Sequence, residues 1–152
     1  MTRAKTFLLI ALGFAFLGVL LSGYLSYWNL FGPSCHQGPL NWLVSCGGPK
    51  KVLIFGQPTC IYGFAMFLTV FVLASTSLIR PPKKRVVAWL IGLGIVGTLF
   101  SGFLTIYEVF FLKLSFTGLP ACIYGLVFYV GILIASILAY RGLAPRDSVP
   151  AV

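Results

Sequence analysis

Carboxylates are almost missing from this chain. Glu108 and Asp147 are the only two in 152 residues, and His36 is the only histidine. A paired-carboxylate hydrolase, a Ser-His-Asp triad and a histidine-rich metal centre therefore lack the parts to be built, and no metal site is expected. Charge of either sign is scarce at 9% of residues, against 59% hydrophobic and a mean hydropathy of +1.02. A soluble domain carries about 25% charged residues, so a water-soluble globule is excluded. What remains for reactive chemistry is four cysteines.

Long apolar runs are abundant. They cover about residues 7–28, 58–79, 86–107 (with a weak extension to Leu112) and 120–140. Each has about 21 to 22 residues, or about 30 Å as a helix at 1.5 Å per residue, which is the thickness of the hydrocarbon core. The first run follows Arg3 and Lys5 but exceeds the apolar region of a signal peptide, and no small-residue cleavage site follows it. It reads as a span. Tyr27, Trp28, Trp42, Trp89 and Tyr140 fall near run ends, where amphipathic rings favour the interface. Four runs fill nearly the whole length. The prediction is one membrane domain over residues 1–152: an all-α integral membrane protein, a four-transmembrane-helix bundle with an outer cysteine-containing cap loop.

The net charge of +9 is unevenly spread. Arg3, Lys5, Arg80, Lys83, Lys84, Arg85, Arg141 and Arg146 share one side of such a bundle, and only Lys50, Lys51 and Lys113 fall on the other. The positive-inside rule then puts both termini and the basic turn in the cytoplasm, and the partner of this charge is a lipid bilayer with no nucleic acid. The long connection, about 29–57, is left outside. It is far longer than an ordinary helix–helix link. Gly32, Pro33, Gly38, Pro39, Gly47, Gly48 and Pro49 break it into turns. Between them, 39–44 and 51–55 are apolar enough to lie on the membrane surface.

The second and fourth runs begin alike: Pro58-Thr59-Cys60-Ile61-Tyr62-Gly63 parallels Pro120-Ala121-Cys122-Ile123-Tyr124-Gly125. Proline suits the first helical turn, where its missing N–H costs no hydrogen bond. Cysteine two positions on meets the unpaired N–H groups and dipole that favour a thiolate. Glycine one turn further leaves space beside the sulfur for a helix or a flat ligand. Each pair of cysteines has a plain alternative. Cys35 and Cys46 could be a loop staple, and Cys60 and Cys122 small apolar residues in a bundle. Together they form the layout a thiol–disulfide relay needs: a water-facing pair followed by a pair at membrane entries on the same side. His36 beside Cys35 is read as incidental. A quinone is the acceptor a membrane offers. Tyr62, Tyr124, Phe128 and Tyr129 follow the two cysteines at helical spacing, where a ring could stack and a hydroxyl could donate to a carbonyl.

On these residues the chain resembles the vitamin K epoxide reductase family, functionally akin to the bacterial disulfide-forming protein DsbB. The best stretch runs from Cys46-Gly47-Gly48 through Phe55-Gly56-Gln57-Pro58-Thr59-Cys60-Ile61-Tyr62-Gly63. The resemblance implies a four-helix bundle around a quinone of the ubiquinone, menaquinone or vitamin K type. Cys35 and Cys46 match the family's loop pair, Cys122 the first cysteine of its C-x-x-C, Tyr129 its quinone-pocket tyrosine and Thr59 a quinone-binding asparagine. Gly125 departs from the pattern, standing where the second cysteine of C-x-x-C belongs. Cys60, on the neighbouring helix, is the substitute, which predicts a Cys60–Cys122 redox pair. By family analogy Cys122 accepts electrons from the loop and Cys60 is the quinone-side sulfur.

The expected activity is a thiol–quinone oxidoreductase in a prokaryotic plasma membrane, with the cysteines outside. It would take electrons from a thioredoxin-like dithiol protein on the outer side and make disulfides. Disulfide formation is favoured over vitamin K-type quinone or epoxide reduction because no ER-retention signal is evident and the tails are short. The rival class is a claudin-like structural tetraspan protein, with Trp28 preceding two outer cysteines; it leaves Cys60 and Cys122 unexplained. A small transporter ranks last, since only Ser and Thr interrupt the helices.

Overall fold

In hydrocarbon a backbone must satisfy its N–H and C=O groups within its own segment, so each apolar run folds as one helix. The computed structural model describes residues 3–31, 44–45, 53–54, 57–81, 83–110 and 119–143. Its helices are α1 (Arg3–Phe31), α2 (Thr59–Ile79), α3 (Lys84–Phe110) and α4 (Ala121–Gly142). All four are long and apolar enough to cross a membrane. The fold is an all-α four-helix bundle. At their basic ends α1 and α3 begin before their apolar runs do, at Arg3 and Lys84. Hydropathy marks the hydrocarbon, whereas a helix continues into the interface as long as nothing breaks it.

Among the described residues four two-residue strands accompany the helices: β1 (Val44–Ser45), β2 (Leu53–Ile54), β3 (Gln57–Pro58) and β4 (Leu119–Pro120). β2 folds back antiparallel on β3, pairing Leu53 with Pro58 and Ile54 with Gln57. β1 runs parallel to β4, pairing Val44 with Leu119 and Ser45 with Pro120. The first pairing leads into α2 and the second into α4, so both helix starts are tied to the connection that follows α1.

The bundle is inside-out in composition. Leu20, Val72, Leu99, Phe103, Val127 and Ile134 are exposed, while the interior is rich in Ala11, Ala15, Ala74, Ala135 and Ala139. Lipid tails are as apolar as leucine, so there is no gain in hiding large residues, and small ones let helices approach. Several hydroxyls within the spans turn back on their own helix: Ser75 donates to Phe71 O at 2.8 Å, Thr98 to Gly94 O at 2.7 Å and Thr105 to Ser101 O at 2.8 Å. Such bonds hide polarity from lipid. Around the bundle the order is α2–α1–α4–α3; three of these seams are closely packed, and the fourth, α2 against α3, is sparse.

Candidate functional site

The two matching helix starts fold alike. Pro58 and Pro120 close β3 and β4, and the helices begin one residue later, at Thr59 and Ala121. This shifts the prolines from the expected first helical turn to the residue before it. Their fixed φ still suits that position, and Cys60 and Cys122 become the second residue of α2 and of α4.

Both cysteines line one cavity of about 60 Å3 in the upper part of the bundle. Thr59, Cys60 and Gly63 form its α2 wall, and Ala121, Cys122, Gly125 and Tyr129 its α4 wall. Leu21, Ser22 and Leu25 of α1 and Phe100, Ser101 and Leu104 of α3 complete it. Thus five of the residues singled out as binding or redox groups, Thr59, Cys60, Cys122, Gly125 and Tyr129, come together with Gly63. Tyr62 and Tyr124 do not line the cavity; both are half-buried two residues after their cysteines, about half a turn round the helix and so on other faces. Cys35, Cys46 and His36 lie outside the described residues.

The glycines create the space. A Cβ at Gly63 would meet nothing within 4 Å, and one at Gly125 would sit 3.3 Å from Ser101 Oγ. Where the resemblance expects a second cysteine, a serine hydroxyl from α3 leans in. Ser22 is committed elsewhere, donating to the carbonyl of Gly18. Tyr129 is different. It is only 1% exposed, and its hydroxyl has no hydrogen-bond partner among the described residues. An orphaned buried hydroxyl costs about 1–3 kcal/mol; the hydroxyls of Ser26 and Ser136 are in the same state, but of the three residues only Tyr129 lines this cavity.

The Tyr129 ring is held rigidly. It stacks on Phe67 of α2 with centroids 4.2 Å apart and planes 14° from parallel. Behind Phe67 lies Gly18 of α1 and behind Tyr129 lies Gly97 of α3, each with a ring where a Cβ would be. Two rings thus fill the centre of the bundle between two glycines. Reading the sequence alone missed this arrangement, together with the α1 and α3 walls. A signal was available: Gly18-x-x-x-Ser22-Gly23 repeats as Gly97-x-x-x-Ser101-Gly102, and Phe67 and Tyr129 each stand seven residues after their cysteine. The helix pairs α1–α2 and α3–α4 therefore repeat the same contacts, with Cys60 and Cys122 as counterparts at matching depth.

The structure is thus a four-helix bundle of membrane-spanning length in which one cavity is lined by both helix-entry cysteines, with two stacked aromatic rings beside it. The family comparison agrees: the vitamin K epoxide reductase family matches over residues 9–115. That is more than two thirds of the chain, which belongs to this family and is an integral membrane oxidoreductase of a quinone-linked group. The matched segment spans Cys35, Cys46 and Cys60 and ends before α4. No curated protein and no solved structure matches the chain significantly.

Proposed function

We propose that this protein is a disulfide-forming thiol–quinone oxidoreductase, with both termini cytoplasmic and the cysteines on the outer side. The observation that carries this reading is a single cavity lined by Cys60, Cys122 and Tyr129, the last with a buried hydroxyl that has no partner among the described residues. The β1–β4 ladder adds support. Ser45 precedes Cys46 and is aligned with Pro120, two residues before Cys122, so the loop chain is tied beside the start of α4.

In this reading a thioredoxin-like partner dithiol on the outer side attacks a Cys35–Cys46 disulfide and leaves with a disulfide of its own. The loop dithiol then reduces a Cys60–Cys122 disulfide, with Cys122 taking the attack. A quinone bound in the cavity supplies the acceptor for two electrons and two protons. Cys60 and Cys122 return to the disulfide as those electrons leave, and Cys60 is the sulfur on the quinone side. Tyr129 and Thr59 offer hydroxyls to the two carbonyl ends of the ring, and Leu21, Leu25, Phe100 and Leu104 keep bulk water out. A cavity that admits benzene measures about 150 Å3, so at about 60 Å3 a ring enters only as side chains move aside. The loosely packed α2–α3 seam is the wall that yields most readily. Ubiquinone, menaquinone and vitamin K-type rings all meet these requirements.

The test is anaerobic quinol formation by the full chain in a bilayer, driven by a reduced thioredoxin-like protein. Cys60→Ala and Cys122→Ala should each abolish turnover; an unchanged rate in either refutes the relay.

A further inference from the structure

At the opposite end of the bundle from the cysteines, a second concavity of about 290 Å3 opens between the end of α2 and the start of α3. It is lined by Thr76, Ser77, Arg80, Pro81, Lys83 and Val86. Arg80 and Lys83 are exposed, yet their backbones are fixed: Arg80 N donates to Thr76 O at 3.0 Å, and Lys83 O accepts from Val86 N at 3.0 Å and Val87 N at 3.3 Å. The Thr76 and Ser77 hydroxyls are already donated to Leu73 O, at 2.9 and 2.8 Å. Recognition of a ligand here falls to the two cations.

Four cations, Arg80, Lys83, Lys84 and Arg85, stand within six residues at this turn. Glu108, at the other end of α3, is roughly 36 Å away at 1.5 Å per residue. The remaining carboxylate of the chain, Asp147, lies outside the described residues. The apolar surroundings give the second half of the argument. Ile79 is 85% exposed and Trp89 65% exposed on either side of the turn, and Trp89 follows the pocket residue Val86 by three positions on α3. Indole and aliphatic groups bare at a helix end sit where headgroups meet acyl chains. A topogenic charge signal requires cations but no concavity between them.

We propose that this pocket binds the headgroup phosphate of an anionic phospholipid, held by Arg80 and Lys83, with the acyl chains running past Ile79 and Trp89. The ligand chemistry is a phosphate diester, and its source is the bilayer. The experiment uses the full chain in nanodiscs of equal phosphatidylglycerol and phosphatidylcholine, with retained lipid counted by native mass spectrometry. Retention of phosphatidylglycerol over phosphatidylcholine by about tenfold or more is expected for two surface cations acting together. The double substitution Arg80→Gln with Lys83→Gln should remove the preference. Lys84→Gln with Arg85→Gln deletes the same charge outside the pocket lining and should keep it. Equal loss in both variants would overturn the proposal in favour of a diffuse basic field. Displacement by millimolar glycerol 3-phosphate as effectively as by added lipid would overturn it in favour of a soluble anion. Equal retention of the two lipids by the unmodified protein overturns it, whether or not either variant inserts.

Discussion

Gly18 and Gly97 do what no side chain could at their positions. Each lets a ring from the neighbouring helix reach its backbone, and the two rings then meet face to face. Gly97→Ala and Gly18→Ala should each lower the midpoint of thermal unfolding in detergent, corresponding to about 1–3 kcal/mol of overpacking. Gly13→Ala is the control, since nothing lies within 4 Å of its Cβ position. It should be neutral or stabilise by up to about 1 kcal/mol through helix propensity. Tyr129→Phe separates packing from chemistry. The stacked ring stays while the orphaned hydroxyl goes, so stability should hold or rise. Quinone reduction should fall by about tenfold, the equivalent of one lost hydrogen bond, as read in kcat/KM for the quinone.

At the scale of elements, α2 and α4 each bring a cysteine in the second helical residue and a glycine one turn on. The glycines leave unequal space, since Gly125 faces Ser101 and Gly63 faces nothing. Gly63→Ala should therefore fold with little loss of stability and narrow the cavity. It should raise the KM for quinone by tenfold or more while leaving the partner-to-loop thiol exchange unchanged, a split visible in single-turnover measurements. Slowing of both half-reactions together would mean that the side chain had disturbed the helix starts. The Pro-x-Cys-Ile-Tyr-Gly repeat made these two helix entries legible in the sequence. Phe67 was not legible, because a phenylalanine in an apolar span looks the same whether it faces lipid or a neighbouring ring.

At the scale of the molecule, the two helix pairs repeat each other's contacts, but the four seams are not equal. α1 packs closely on α4, whereas the corresponding α2–α3 seam is sparse. Here the asymmetry leaves one side loose, and the cysteines, the glycines and the tyrosine border the cavity behind it. Four spans also bring the start of α1 and the end of α4 to one side, where the position of a Cβ on Gly142 lies 3.5 Å from Ala4. In the proposed orientation a membrane-impermeant amine reagent should label Lys83 and Lys84 from the cytoplasmic side, and Lys50 and Lys51 only from the outer side. Labelling of both groups from one side would refute the four-span arrangement.

The sequence by itself determined the number of spans and the class of fold, because twenty apolar residues have one way to satisfy a backbone in lipid. It also determined the pairing of the two helix entries, because proline, cysteine and glycine at fixed spacing impose the same local geometry twice. Which helices touch, which seam stays loose, and which hydroxyls among the described residues are left without a partner were decided only by tertiary structure. In a membrane nearly every side chain is apolar, so hydrophobicity no longer separates inside from outside. The fit of rings such as Phe67 and Tyr129 against glycines far away in the chain does.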